Sequence, residues 1–119
     1  MTATRLIAFA LAGVLAACGG GLPEPTSVDA ERVGSRWPSV KVTDLAEGRD
    51  LYQGRCASCH QLYEPHAFTP EKWEVELEEM SARARLSEPQ ELLILQYLVS
   101  VSGRGGAETA TSHTNAQEQ

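Results

Sequence analysis

The stretch Cys56-Ala57-Ser58-Cys59-His60 decides how the rest of this sequence is interpreted. Two thiols three positions apart, followed at once by an imidazole, form the attachment signature of a c-type haem. On one helical turn, positions i, i+3 and i+4 project to the same side, so both sulfur atoms and the His60 ring can reach one flat macrocycle. The motif predicts a single haem c, bound covalently through Cys56 and Cys59, with His60 as the proximal ligand of its iron.

Two alternatives use the same Cys-x-x-Cys spacing, namely a redox disulfide and half of a zinc site. The sequence lacks a second Cys or His pair that would complete a tetrahedral zinc site. The histidine that directly follows Cys59 therefore favours haem over zinc or a dithiol.

The N-terminal residues 1–17 have the pattern of a signal peptide. A charged opening up to Arg5 is followed by an apolar run that is too short for a permanent membrane-spanning helix. The run ends in Leu15-Ala16-Ala17-Cys18-Gly19, which resembles the lipobox of bacterial lipoproteins. This resemblance implies cleavage before Cys18 and a diacylglyceryl thioether on its sulfur. A plain secretory signal with an incidental cysteine is the alternative.

Cysteine number and charge agree with an exported lipoprotein. Three cysteines leave one over after the haem has taken two, and lipidation gives Cys18 a role. Cleavage would remove one cation, leaving 9 Lys and Arg against 16 Asp and Glu, a formal charge of −7. An acidic surface argues against nucleic acid as a partner and against unspecific adsorption to anionic lipid. We therefore expect membrane contact through the anchor at Cys18.

Composition divides the remaining chain into three parts. Residues 18–39 contain three prolines and no apolar period, which predicts a lipidated N-terminal cysteine and a flexible tether. Trp37 is the exception, because it either folds back onto the domain or remains exposed in the tether. Residues 40–102 should form the folded domain, and the polar residues 103–119 a disordered tail.

Three main helices are expected around the haem, which makes the fold all-α. The first follows Thr43 or Asp44 as N-cap and runs into the Cys56 turn. Gly48 in its interior predicts a close contact with another helix. The second helix begins after Thr69, and the third runs from a capping box at Ser87 to Ser102. Eight of the ten residues from Leu92 to Val101 are apolar, so this last helix must be covered on more than one side.

With these features in place, residues 42–102 resemble a class I mono-haem cytochrome c domain. The resemblance rests on Gly48 and Tyr52 in the first helix, on the attachment turn, and on Leu95-Gln96-Tyr97-Leu98 in the last helix. It implies that the first and last helices cross, with Gly48 and Tyr52 near Tyr97 and Leu98. In that family the distal methionine usually lies in a loop, whereas Met80 here falls on a predicted helical face.

The distal ligand determines the expected chemistry. Met80 shares its helical face with Trp73 and Leu77, and a thioether ligand would favour the reduced iron of an electron carrier. Met80 as core filler, His66 as the distal ligand, and an open sixth position are the alternatives.

The expected function is therefore single-electron transfer between unidentified redox proteins, without catalysis or a small-molecule substrate. The expected location is the bacterial cell envelope, facing the periplasm, on the outer or the inner membrane. A haem sensor or small haem enzyme with an open or His-ligated sixth position is the alternative function. Five glutamates on the second helix form a solvated face or steer a basic partner.

Overall fold

The computed structural model describes residues 21–105, and every regular element within them is helical. The four α-helices are α1 Ser27–Val33, α2 Val42–Leu51, α3 Pro70–Ala84 and α4 Glu88–Ser102. One turn of π-helix spans Tyr52–Cys56, and 3-10 turns span Pro65–Ala67 and Gly103–Gly105. The predicted all-α fold is confirmed. The predicted signal peptide, Cys18 and most of the predicted tail lie outside the described residues.

Helix α4 lies at the centre of the fold. Residues on all of its sides are buried, including Ile94 and the continuous run Gln96–Val101. It contacts α1, α2 and α3. The prediction that this helix is covered on more than one side is confirmed.

Helices α2 and α4 cross at Gly48. A Cβ atom built on Gly48 would overlap the carbonyl oxygen of Leu93 and approach the Cβ of Tyr97 to 3.0 Å. Tyr52 and Leu98 belong to the same buried cluster as Tyr97. The contact that the resemblance implied is therefore present, and only glycine fits where the two backbones meet.

Local capping sets the limits of α3 and α4 as the sequence predicted. The Thr69 hydroxyl accepts a hydrogen bond from the Lys72 N–H, and Pro70 occupies the first helical position. At α4, Ser87 and Gln90 cap each other reciprocally. Helix α2 begins two residues earlier than expected with Thr43 as N-cap and three earlier than expected with Asp44, because the Asp44 carboxylate accepts a hydrogen bond from the Lys41 N–H.

The prediction of a flexible tether is wrong for the segment from Leu22 to Pro38. Helix α1 forms there, with Thr26 as its N-cap. Three successive carbonyl oxygens before α1, those of Leu22, Pro23 and Glu24, accept hydrogen bonds from Arg49, Tyr97 and Arg104 respectively. These donors lie far along the sequence, so local composition did not reveal the order.

A buried carboxylate joins α1 to the end of α4. Asp29, whose side chain is 1% exposed, accepts hydrogen bonds from Thr26, Arg32 and Arg104. We call these four residues the Asp29 cluster. Burial opposes ionisation of Asp29, but the hydrogen bonds from Arg104, Thr26 and Arg32 outweigh it and hold its pKa well below the usual 3.8. Arg32 also donates to the Ser100 carbonyl oxygen at 2.9 Å.

Trp37 lies half-buried after α1. It lines a cavity together with Leu93 and Gln96 of α4, and the Arg36 guanidinium lies 4.4 Å from the centre of its ring. Of the two alternatives for this residue, folding back onto the domain is therefore the one observed.

The five glutamates of the second predicted helix lie on α3, mostly on its exposed side. Glu74 pairs with Arg36, Glu76 with Lys72, and Glu79 with Arg83. The hydrogen bond from Arg36 lowers the pKa of Glu74. Within residues 21–105 no helix is both long enough and apolar enough to span a bilayer.

Candidate functional site

The attachment motif begins where α2 widens into its π-helical turn. This turn, Tyr52–Cys56, ends at the first cysteine, and the chain then continues as a non-helical turn up to His60. π-Helical turns within helices occur frequently at functional sites. Arg55 donates from its guanidinium to the carbonyl oxygens of Ala84 and Arg85, at 3.3 and 3.2 Å. The motif is thereby fixed against the C-terminal end of α3.

One cavity brings the predicted ligands together, and we call it the attachment cavity. Both motif cysteines, the motif histidine and the predicted distal methionine line it. The full set of lining residues is Arg55, Cys56, Cys59, His60, Met80, Arg83 and Ala84. These residues come from the attachment turn on one side and from α3 on the other. The donor set fits a covalently bound haem, because two thiols, an imidazole and a thioether face the same space.

The two thiols are free and differ in their surroundings. Cys56 is buried and Cys59 is exposed. Burial raises the pKa of the Cys56 thiol, and the neighbouring Cys59 adds to this effect. Neither thiol forms a disulfide, so both are available for thioether bonds to a porphyrin.

The His60 ring presents one nitrogen for metal binding. Its Nδ1 lies 2.8 Å from the carbonyl oxygen of Gln61, so Nδ1 carries the proton of the neutral ring and donates it there. Nε2 then keeps its lone pair. A hydrogen bond from the second ring nitrogen to a backbone carbonyl is the usual way in which a ligating histidine is oriented.

The structure separates the two distal candidates. Met80 is partly buried on α3, packs against the buried cluster and lines the attachment cavity. His66 is exposed in the 3-10 turn Pro65–Ala67 and lines a different cavity, with Phe68 and Val101. Met80 thus shares a cavity with His60.

Aromatic rings connect the attachment turn to the core. The ring centroids of His60 and Tyr63 are 5.8 Å apart, those of Tyr63 and Phe68 5.2 Å, and those of Phe68 and Trp73 4.9 Å. Tyr52 packs edge-on against Trp73 at 5.9 Å. The Tyr52 hydroxyl donates to the Tyr63 carbonyl oxygen, and the Trp73 Nε1 donates to that of Pro65. These bonds fix the loop between the attachment turn and α3.

Sequence reasoning missed Arg83 as a residue of the site. Arg83 and Arg55 are the cationic residues among those that line the attachment cavity. The signal was available in the spacing, because Arg83 lies three residues after Met80 and therefore on the same side of α3. Cationic residues at this position can pair with the propionates of a haem. Within the described part of the chain, no three or more His, Cys, Asp or Glu side chains are grouped closely enough to hold a metal ion by themselves.

A Cys-x-x-Cys-His turn packed against a small helical core defines a c-type cytochrome domain. The family model described as dihaem cytochrome c matches residues 52–118, which is more than half of the chain. The chain therefore belongs to the dihaem cytochrome c family and is a haem-binding electron-transfer cytochrome. Comparisons with curated proteins and with solved structures gave no match.

The family's description corrects one part of the resemblance. The sequence features resembled a mono-haem class, whereas the matching family is described by two haems. The 119 residues contain one Cys-x-x-Cys-His motif, and the third cysteine, Cys18, has no cysteine three positions away. The cytochrome c assignment is confirmed.

Proposed function

We propose that this chain is a lipid-anchored cytochrome of the bacterial cell envelope that carries single electrons through one haem c ligated by His60 and Met80. The observation that carries the proposal is the attachment cavity, which both cysteines, His60 and Met80 line together. When bound, the haem iron supplies a one-electron couple between Fe(III) and Fe(II).

The chain's own residues would hold the cofactor in distinct ways. Cys56 and Cys59 would form the two thioethers, and His60 would ligate through Nε2 because its Nδ1 is engaged by Gln61. Met80 would provide a thioether sulfur as the second protein ligand, and a thioether ligand favours the reduced state and raises the potential. Arg55 and Arg83 would neutralise the propionates.

A single haem is proposed because each covalent haem c needs its own pair of cysteines. Within these 119 residues, Cys56 and Cys59 are the one pair with the required spacing. Cys18 is assigned instead to lipidation, on the basis of the Leu15–Cys18 pattern after an apolar run. A diacylglyceryl anchor gives stable membrane association, whereas one acyl chain binds only marginally.

The proposed partners are redox proteins, one donor and one acceptor, and neither nucleic acid nor a small-molecule substrate. Export through a lipoprotein signal places the domain on the periplasmic side of the outer or inner membrane. The acidic face of α3 supports a basic partner, since charge complementarity increases the rate of encounter.

Optical spectroscopy with carbon monoxide tests the ligand set. We expect the ferric protein to be low-spin, with a weak sulfur-to-iron band in the far red, and the ferrous protein to bind carbon monoxide poorly. Met80→Ala should open the sixth position, lower the reduction potential and permit carbon monoxide binding, because the ligand that favours Fe(II) is removed.

His66→Ala is the matched control, since His66 lines another cavity, and it should change neither spectrum nor potential. The electron-carrier proposal would be contradicted if the wild type bound carbon monoxide avidly while Met80→Ala left spectrum and potential unchanged. That result would favour a sensor with an open iron site.

A further inference from the structure

Gly21 and Leu22 lie beside the haem attachment turn. Gly21 and Leu22 line one cavity with residues of that turn, among them Ala57, His60, Gln61 and Leu62. Leu22 packs against the buried cluster, and its carbonyl oxygen accepts hydrogen bonds from Arg49 at 3.1 and 3.2 Å. Leu22 is therefore fixed near His60.

Only a short connection separates this point from the proposed anchor. Three residues lead from Cys18 to Gly21, and a fully extended chain covers about 11 Å over that distance. An acyl group on Cys18 thus holds Gly21 close to the lipid headgroups. From Leu22 onward the chain is packed against the domain, so these residues provide no free tether.

The surface next to Gly21 suits a lipid headgroup region. Residues 56–63 contain no Asp, Glu, Lys or Arg, and exposed Glu64 is the one acidic residue that lines the cavity with Gly21. Tyr63 is 48% exposed in this stretch, and tyrosine is a residue enriched where protein meets the membrane interface. Anionic headgroups would meet one carboxylate here, that of Glu64, whereas α3 with its five glutamates would repel them more strongly.

We infer that the attachment turn, residues 56–63, lies against the lipid headgroups, so that the haem of this cytochrome is presented to partners held in the same membrane. The inference rests on the proposed lipidation of Cys18. It goes beyond anchoring because it fixes which face of the domain is turned to the bilayer.

Photo-crosslinking of the full-length, haem-loaded lipoprotein tests this orientation. The protein is reconstituted in vesicles of phosphatidylethanolamine and phosphatidylglycerol, with a photo-crosslinking amino acid in place of Gln61 or, as the matched control, Ser39. Both positions are exposed, and α2 with its π-helical turn separates them by roughly 20 Å. We expect several-fold more lipid adduct from Gln61 than from Ser39.

An insertion supplies a second variant. A flexible Gly-Ser insert of about twelve residues between Gly20 and Gly21 would extend the connection by up to about 40 Å without touching the packed segment. We expect it to reduce the Gln61 adduct towards the Ser39 level, while the haem spectrum stays unchanged.

The outcomes separate the inference from its premise. Equal adduct yields at both positions, with an acylated Cys18 peptide found by mass spectrometry, would overturn the orientation and leave the anchor intact. An unacylated Cys18 and no flotation with vesicles would overturn the lipoprotein proposal, and the orientation with it. A Gln61 preference that the insertion abolishes would support both.

Discussion

At the scale of single residues, the crossing of α2 and α4 depends on the absence of one side chain. Gly48→Ala would place a methyl group against the Leu93 carbonyl oxygen, which belongs to a buried helix backbone and cannot move aside. We expect a loss of about 1–3 kcal/mol in the free energy of unfolding, which is typical of overpacking. Thermal unfolding of the haem-loaded protein followed by circular dichroism would measure it.

Gly54→Ala is the natural control for that variant. Gly54 lies six residues further along, in the π-helical turn, and a Cβ built there meets nothing within 4 Å. Alanine has a higher helix propensity than glycine by about 1 kcal/mol, so the midpoint temperature of thermal unfolding should stay the same or rise slightly. Equal losses in both variants would show that the cost comes from the backbone of this segment and not from the helix crossing.

Asp29 provides the second residue-scale prediction. Asp29→Asn removes the charge that Arg32 and Arg104 share, while the amide keeps the size of the side chain. Because both arginines are partly exposed, we expect a moderate loss of about 2 kcal/mol, the range of a hydrogen bond to a charged group. Urea unfolding at neutral pH would measure it, and exposed Glu31→Gln on the same helix should change stability by less than about 0.5 kcal/mol.

The same carboxylate makes stability depend on pH. The folded-state pKa of Asp29 is lowered, so its contribution is present above the ordinary pKa of 3.8 and is lost as the pH falls below that value. The difference in stability between wild type and Asp29→Asn should therefore be full at neutral pH and shrink as the solution is acidified towards about pH 3. A difference that stays constant over this range would exclude the lowered pKa as its cause.

At the scale of elements, sequence reasoning succeeded where an element is determined locally. Helices α3 and α4 carry their own caps, at Thr69 and Ser87, and their limits agree with the prediction. The start of α2 was misplaced because its N-cap, Lys41, has no capping side chain, and the Asp44 carboxylate accepts the hydrogen bond from the Lys41 N–H instead. A sequence pattern identifies a cap more readily when the cap residue itself carries the acceptor.

Helix α1 was missed because long-range contacts hold it in place. It is seven residues long, which is too short to be stable alone, and Arg104 binds its Asp29 from 75 positions away. The one local signal was Thr26 followed three residues later by Asp29, which close a reciprocal cap. Prolines around this pattern favoured a linker instead.

The site was predictable to the extent that it depends on covalent spacing. Cys56, Cys59 and His60 follow from five consecutive residues, and Met80 from its place on a helical face. Arg55 against the end of α3 and the N-terminal segment against the attachment turn depend on how the chain folds back. Such tertiary contacts produce no periodic pattern in the sequence from which they could be predicted.

At the scale of the whole molecule, the folded unit begins near Leu22 and not at Val40. A chain that begins at Val40 would lose α1, the burial of Val33 and Leu22, and the Asp29 cluster. Burial of one Val or Leu side chain contributes about 1.5–3 kcal/mol, so we expect a loss of several kcal/mol. Thermal unfolding and haem content per chain would measure the effect, in comparison with a chain that begins at Gly21.

The chain that begins at Gly21 keeps every hydrogen bond described for the N-terminal segment. Its midpoint temperature of thermal unfolding should equal that of the mature protein. If the chain that begins at Val40 unfolded at the same temperature with the same haem content, the segment before α2 would contribute nothing to stability. The domain boundary that the sequence predicts, at residue 40, would then be correct.

The contact between Arg104 and the Glu24 carbonyl oxygen, at 2.6 Å, means that the domain's two ends meet. A domain whose N- and C-terminal ends lie close together can be inserted into a surface loop of a larger protein without distorting that protein. It can also be circularly permuted, with the old ends joined by a short linker. This cytochrome domain is thus suited to insertion into other proteins, to which it would add an electron-transfer site.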